Sequence, residues 1–264
     1  MRKNQVFWGM VIILIGTALL LNSLGIIHNF GKFIWPLLLI FAGVWILLGP
    51  YLWKRVEGEI TTIKVERRDA LSASVEINHG AGQLSILPST DDAMILTGEC
   101  RGGVRETVKY LGSQTQVTLS VPDQFVTMVP FMGGSGINWK LFMNKHIPLD
   151  LTLKTGADDA QVDLREMQVK RLKLETGASN TVITLPAAAG ITEAVVGAGA
   201  ASIKLIIPEG VEARIRTSAG LAGINVNTGR FQKTPDGYES SMFADAPNRI
   251  DLKVDMGLGS VEII

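Results

Sequence analysis

The sequence predicts an N-terminal two-helix transmembrane hairpin followed by an all-β, β-solenoid-like repeat domain. Three observations lead there. Two apolar runs near the start carry no charge; a net charge of zero divides into a basic first segment and an acidic remainder; and a glycine-centred phrase of alternating apolar and polar residues returns at intervals of 21, 22 and 21 residues. The expected division is a hairpin over residues 1–55, a linker or first strand over 56–74, and the solenoid over 75–264, with insertions near 121–147 and 227–249.

The first run, VFWGMVIILIGTALLLNSLGII, spans residues 6–27, and the second, FIWPLLLIFAGVWILLGPYLW, spans 33–53. At about 1.5 Å per residue each is long enough to cross a hydrocarbon core of roughly 30 Å. The first run is too long for a signal peptide and no small-residue cleavage site follows it. Pro36 falls in the first turn of the second helix, where its missing N–H is least costly. Arg2 and Lys3 precede the first span and Lys54 and Arg55 close the second, against Lys32 alone in the connecting loop, so both termini are expected in the cytoplasm, with the chain multi-pass in the inner membrane. Trp8, Trp35 and Trp53 sit near span ends, where indole rings favour the headgroup layer.

Beyond residue 55 the chain holds 20 basic and 25 acidic residues and shows no basic stripe, which argues against a nucleic-acid partner. The repeat is read by setting its glycines in register: LTLKTGADDAQVDL around Gly156, LKLETGASNTVITL around Gly177, AVVGAGAASIKLII around Gly199 and ARIRTSAGLAGINV around Gly220. VEINHGAGQLSIL around Gly80 and LKVDMGLGSVEII around Gly257 share the template. Apolar residues recur five and three positions before the glycine and four and six after it, as with Leu172, Leu174 and Ile183 around Gly177. Period-two alternation on both sides of a bend means two strands that each turn one face inward. The glycine supplies either freedom at positive φ or room for close backbone approach. A unit of this length suits one coil of a solenoid, which buries its inward face only by stacking on its neighbours.

Residues 91–148 are less regular. QTQVTLSV there alternates as a strand does, and the stretch after it gathers Phe125, Met128, Phe131, Met132, Trp139, Phe142 and Met143 among glycines. These seven are the candidate partner or membrane contacts, because methionines and aromatics adapt to and anchor interfaces. The competing expectation is a strand beginning near Trp139 whose large side chains cap the end of the solenoid. The second insertion reads as a hairpin around TPDG.

Nothing in the sequence announces catalysis. His28, His79 and His146 are scattered, and Cys100 is the only cysteine, so neither zinc spacing nor an intrachain disulfide is available. Asp158, Asp159 and Asp163 lack the spacing of a calcium loop and read as a solvated face. Lys204 follows a glycine-rich stretch without the GK[ST] ending of a phosphate loop. No catalytic residue, metal site or cofactor is expected, and the chain is read as a non-enzyme.

The residues FWGMVIILIGTALLLNSLGII and IWPLLLIFAGVWILL resemble the LiaI/LiaF-like transmembrane region of bacterial envelope-stress proteins. The glycine-strand array ending in GLGSVEI resembles LiaF-like cell-wall-active antibiotic response proteins and the related toast-rack and adhesin-type β-solenoids. The resemblance implies a membrane-bound regulator of a two-component histidine kinase; this chain departs from it in having only two spans. The expected partners are therefore the membrane and another protein, a sensor kinase being one candidate, with a homo-oligomer as a further option. The rival functional reading is a self-assembling scaffold, and an extracytoplasmic adhesin or carbohydrate-active enzyme comes third.

The charge asymmetry is testable. A single cysteine placed in the solenoid of a Cys100→Ser background should escape a membrane-impermeant thiol reagent in intact cells and react after lysis. Labelling in intact cells would put the domain outside.

Overall fold

The computed structural model describes residues 60–122 and 137–264, all within one compact unit, Val56–Ile264. The expected spans at 6–27 and 33–53 lie outside the described residues; among the described ones no helix is long and apolar enough to cross a membrane. The described chain is all-β. Its strands are β1 (Ile60–Glu66), β2 (Ser72–Pro88), β3 (Met94–Arg101), β4 (Arg105–Leu111), β5 (Gln114–Ser120), β6 (Asn138–Met143) and β7 (Leu149–Asp163). They continue as β8 (Val169–Thr176), β9 (Asn180–Thr184), β10 (Ile191–Ile206), β11 (Glu212–Val226), β12 (Gln232–Thr234), β13 (Gly237–Glu239) and β14 (Arg249–Ile263).

The six glycine phrases form parallel coils in register. β2 pairs with β7, β7 with β8 and β9, these with β10, β10 with β14, and β14 with β11. Inward residues line up into rows across the array. One row runs Val75, Leu151, Leu172, Ala194, Leu252, Ile215, and another beyond the glycines runs Ile86, Val162, Ile183, Leu205, Ile263, Val226; all are buried. With strands about 4.8 Å apart, each side chain of a row touches the next, so one coil's apolar face is covered only when its neighbours are in place.

The glycines themselves form a further row, and the reason is steric. A Cβ on Gly156 would lie 2.2 Å from the Gly80 carbonyl oxygen, on Gly177 2.8 Å from that of Gly156, and on Gly199 3.0 Å from that of Gly177. The same holds for Gly257 against Gly199, at 2.7 Å, and Gly220 against Gly257, at 3.0 Å. None of these five has a positive φ. Of the two roles open to the glycine in the sequence, close backbone approach is the one these positions require.

Two features of the architecture differ from a simple stack in chain order. The last coil, β14, is inserted between β10 and β11, so β11 rather than the C-terminal strand ends the array. The insertion before it provides the crossing: the hairpin β12–β13 turns through Pro235 and Asp236 and lies antiparallel to β11 at Arg214 and Ile215. Gly237 there has a φ of 144° and its missing Cβ would stand 2.1 Å from the Ile215 carbonyl, so both backbone angle and space demand glycine. At the other end the two halves of β2 part company. The first half pairs with β5, which is followed by β4; the second pairs with β6, followed by β3 and β1.

The outward faces carry ion pairs that run mostly from coil to coil: Lys154 to Glu76 at 2.8 Å, Arg171 to Asp150 at 2.5 Å and Lys204 to Glu262 at 2.9 Å. The Lys154 hydrogen bond holds the Glu76 carboxyl below its usual range, so whatever stability this pair gives is present at neutral pH and lost as pH falls through that lowered value. Exposed pairs of this kind contribute little individually.

The register makes a direct prediction. Leu174 is buried in its row and Lys173 is exposed. Leu174→Asp is expected to cost about 3 kcal/mol or more, and Lys173→Asp to stay within roughly 0.5 kcal/mol, in thermal or urea unfolding.

Candidate functional site at the two ends of the array

The first end of the array holds three of the seven residues singled out by sequence, Trp139, Phe142 and Met143. β6 alternates as a strand must: Trp139, Leu141 and Met143 point inward and are fully buried, while Phe142 is half-buried on the other face with the Lys140 ammonium 5.4 Å from its ring centre. Trp139 and Met143 are thus core residues that cap the array and offer no contact surface, which corrects their place among the candidate contacts. Phe125, Met128, Phe131 and Met132 lie outside the described residues. The described residues nearest that stretch on either side both bond to β2: the Val121 N–H donates to the Asn78 carbonyl at 3.3 Å, and the Gln83 N–H to that of Ile137 at 3.0 Å, on the two sides of Gly80 and Gly82.

Beneath that corner sits a polar cluster that sequence reasoning missed. His79 occupies the last inward position before its glycine, and Asp158 the first inward position after Gly156. Both side chains are sealed from solvent, with His79 Nδ1 3.5 Å from Asp158 Oδ2 and the His79 ring edge-on to Trp139 at 5.2 Å. The two groups face each other without a hydrogen bond: both His79 nitrogens, both Asp158 carboxyl oxygens and Trp139 Nε1 lack a hydrogen-bond partner. Asp158 is therefore not part of a solvated face. Inward parity was legible two residues after the glycine, the same count that makes positions four and six apolar.

The neighbouring coil keeps the corner polar but satisfies it. Thr155 Oγ1 donates to Thr176 Oγ1 at 2.8 Å, Thr176 to Ser179 Oγ at 2.7 Å, and Thr181 to the same Ser179 oxygen at 3.1 Å. Further along, the corresponding positions become Ala198 and Ala201, then Met256 and Gly259, then Ala219 and Ala222. The inner corner thus grades from polar to apolar along the array.

A histidine beside an aspartate is the orienting half of a catalytic triad, but here it is enclosed and cannot meet substrate. Cys100 lies opposite Trp139 on β3, and burial pushes its thiol up to about 12, which keeps it from being a thiolate at neutral pH. The other candidate aspartates are occupied elsewhere: Asp159 accepts from Asn180 at 3.3 Å and Asp163 from Arg165 at 2.8 Å. Among the described residues no three or more His, Cys, Asp or Glu side chains are placed to hold a metal ion.

The far end is built differently. β13 covers the first half of β11 only, at Arg214 and Ile215. From residue 217 to 226 the strand reads TSAGLAGINV, without a charge and without a partner on its outer side among the described residues. Leu221 is 83% exposed and stands beside Leu258, itself 52% exposed, on the adjoining coil. Inward Ala222 and Ile224 are only half-buried, although the matching Val261 on β14 is covered.

Residues 54–206 match the family described as the N-terminal domain of toast_rack, DUF2154. The chain belongs to this family. Residues 6–47 match the LiaI-LiaF-like transmembrane region, so the toast-rack domain is carried by a membrane protein. Among solved structures, a candidate cell adhesion protein from Clostridium sporogenes superposes with a TM-score of 0.70 at 17% identity, over 78% of this chain and 98% of that one, a likeness of fold. A candidate adhesin from Bacteroides fragilis, 9% identical over 78% of this chain and 97% of that one, reaches a TM-score of 0.31, too low to bear on the toast-rack fold. No curated protein matches the sequence.

Since partnerless buried polar atoms are costly, the pair His79 and Asp158 should be dispensable for folding. The double variant His79→Met/Asp158→Ala copies residues that other coils carry at these positions, Met256 and Ala201, and is expected to melt at or above the wild-type temperature. A markedly lower melting temperature would show that the pair holds the corner together.

Proposed function

We propose that this toast-rack protein is a membrane-anchored, non-enzymatic protein-binding module whose binding surface is the uncovered edge of β11. The observation that carries this is the contrast among sheet edges. Protein sheets guard their edges with charge, with short strands or with a covering element, because an open row of backbone N–H and C=O groups pairs readily with another chain. β1 carries Lys64 and Glu66, β4 carries Arg105, Glu106 and Lys109, and the first half of β11 is covered by β13. Residues 217–226 have none of these guards. Strand addition to such an edge supplies main-chain hydrogen bonds for affinity, and exposed side chains such as Leu221 supply selectivity.

The setting of that binding is the inner membrane, with both termini and the solenoid in the cytoplasm, a placement supported by the basic residues that flank the two spans. The process it serves is regulation of an envelope-stress sensor, a reading supported by the LiaI-LiaF-like membrane region. Phe125, Met128, Phe131, Met132 and half-buried Phe142 are proposed as further partner or membrane contacts, in addition to the edge.

The edge reading is tested in cells carrying an envelope-stress reporter. Leu221→Lys/Asn225→Lys places two cations on exposed positions of the edge and should reproduce the reporter response of a gene deletion, while Lys173→Asp, on a coil face, should behave as wild type. Wild-type output from the edge variant, with the protein present at normal level in the membrane, would remove the edge from the function.

A further inference from the structure

Each coil turns its corner with two successive residues outward. In β7, Thr155 and Asp158 point inward and are buried, which leaves Gly156 and the exposed Ala157 between them on the convex side. The same count puts Ala81, Ala157, Ala178, Ala200, Leu258 and Leu221 in one file along the outside of the corner, each beside its glycine. No residue of this ridge, glycines included, has a polar side chain, although outward positions elsewhere on the coils are mostly polar or charged. The close approach of the glycines does not call for leucines after them, yet Leu258 and Leu221 adjoin one another at 52% and 83% exposure.

We infer that the ridge rests on the lipid surface of the membrane that carries the chain, with Leu258 and Leu221 set into the boundary between headgroups and acyl chains. Reach is the first ground for choosing lipid. Residues 6–47 match a transmembrane region and the second apolar run ends at Trp53, so only residues 54–59 separate that run from Ile60 at the start of β1. Even fully extended they hold Ile60 within about 25 Å of the end of the run. Ile60 is itself exposed and shares a row with Arg101, Asn138 and Gln83, two places beyond Ala81, so the chain enters the domain almost level with the ridge. Area is the second ground. Two residues across and six strands long, the ridge offers a contact on the order of 200 Å², against about 800 Å² per partner in a stable protein complex. A convex file this narrow gives a protein little to enclose, whereas a bilayer to which the domain is already tethered needs only a weak contact.

The charged residues beside the ridge stay in the headgroup layer, and each has a partner. Lys154 pairs with Glu76, Glu175 with Lys173 and Asp255 with Lys253 on one flank, and Asp159 accepts from Asn180 on the other. Around the two leucines the flanking positions are Ser218, Ser260, Gly223 and the paired Asp255. The coil face is different: exposed Val195 there stands between Lys173 and Lys253. The inference rests on membrane anchorage and not on the open edge of β11. Leu221 belongs to both surfaces, so the test uses Leu258, which the edge does not include.

Fluorescence of the full-length protein in vesicles of phosphatidylethanolamine and phosphatidylglycerol decides the matter. Cys100 is buried with its thiol pushed up to about 12, so an introduced cysteine takes the label. A nitrobenzoxadiazole label on Ala178→Cys or Ala200→Cys should be quenched several-fold more strongly by lipid spin-labelled near the top of its acyl chain than the same label on Val195→Cys. Residue 195 lies on the same strand as Ala200, about 16 Å before it. Leu258→Glu should lower the quenching on the ridge several-fold and leave the melting temperature unchanged, since that side chain is already half exposed. Quenching on the ridge no stronger than at residue 195, or undiminished by Leu258→Glu, would overturn the placement. Blue-shifted emission on the ridge without quenching would overturn it too, and would mean that protein covers the ridge.

Discussion

One contact sets the terms for the rest of the fold: the stacking of glycine upon glycine along a single corner. Each coil passes so close to its neighbour there that a Cβ would collide with the carbonyl oxygen beneath it, at 2.2 Å in the tightest case. That approach lets six coils keep parallel register through the corner, and the register aligns the leucine, isoleucine and valine rows on both sides of it. An isolated coil has little to gain from folding, since its apolar face is covered only by the coils that flank it. The glycines therefore act through coil-to-coil distance, and the hydrophobic rows supply the stabilisation that the distance makes available.

Much of this was legible because period-two alternation is a local signal. Leu174 and Ile183 inward, and Lys173 outward, follow from counting either way from Gly177. Strand order is not local in the same sense. Every coil carries the same pattern, so any permutation of coils buries the same rows, and nothing within LKVDMGLGSVEII states that it lies between β10 and β11. Asp158 shows the opposite failure: its parity was available, but residue type was allowed to outweigh position. Trp139 and Met143 likewise sit at alternate positions of β6, and that alternation marks them as core more firmly than their composition marks them as interface.

The two ends of the array have different chemistry, and the difference bears on function. Toward β2 the inner corner is polar, holding His79 and Asp158 without hydrogen bonds, and the outer sheets are extended by charged strands. Toward β11 the corner is apolar, and half of the last strand is left bare. A chain built from near-identical coils acquires an identity mainly where the repetition stops. Insertion of β14 puts β11, with its run of small and apolar residues, at the boundary instead of the more regular C-terminal coil.

Two neighbouring glycines on the ladder allow the corner contact to be isolated from every other effect of the substitution. Gly156 and Gly80 share the motif position, and neither has a positive φ. A Cβ on Gly156 strikes the Gly80 carbonyl oxygen, whereas a Cβ on Gly80 meets nothing within 4 Å. Thermal unfolding of Gly156→Ala and Gly80→Ala therefore compares the contact with its absence. Close stacking predicts a loss of about 1–3 kcal/mol and a clearly lower melting temperature for Gly156→Ala, with Gly80→Ala near wild type. Equal melting temperatures for the two variants would contradict the ladder as the constraint on the fold.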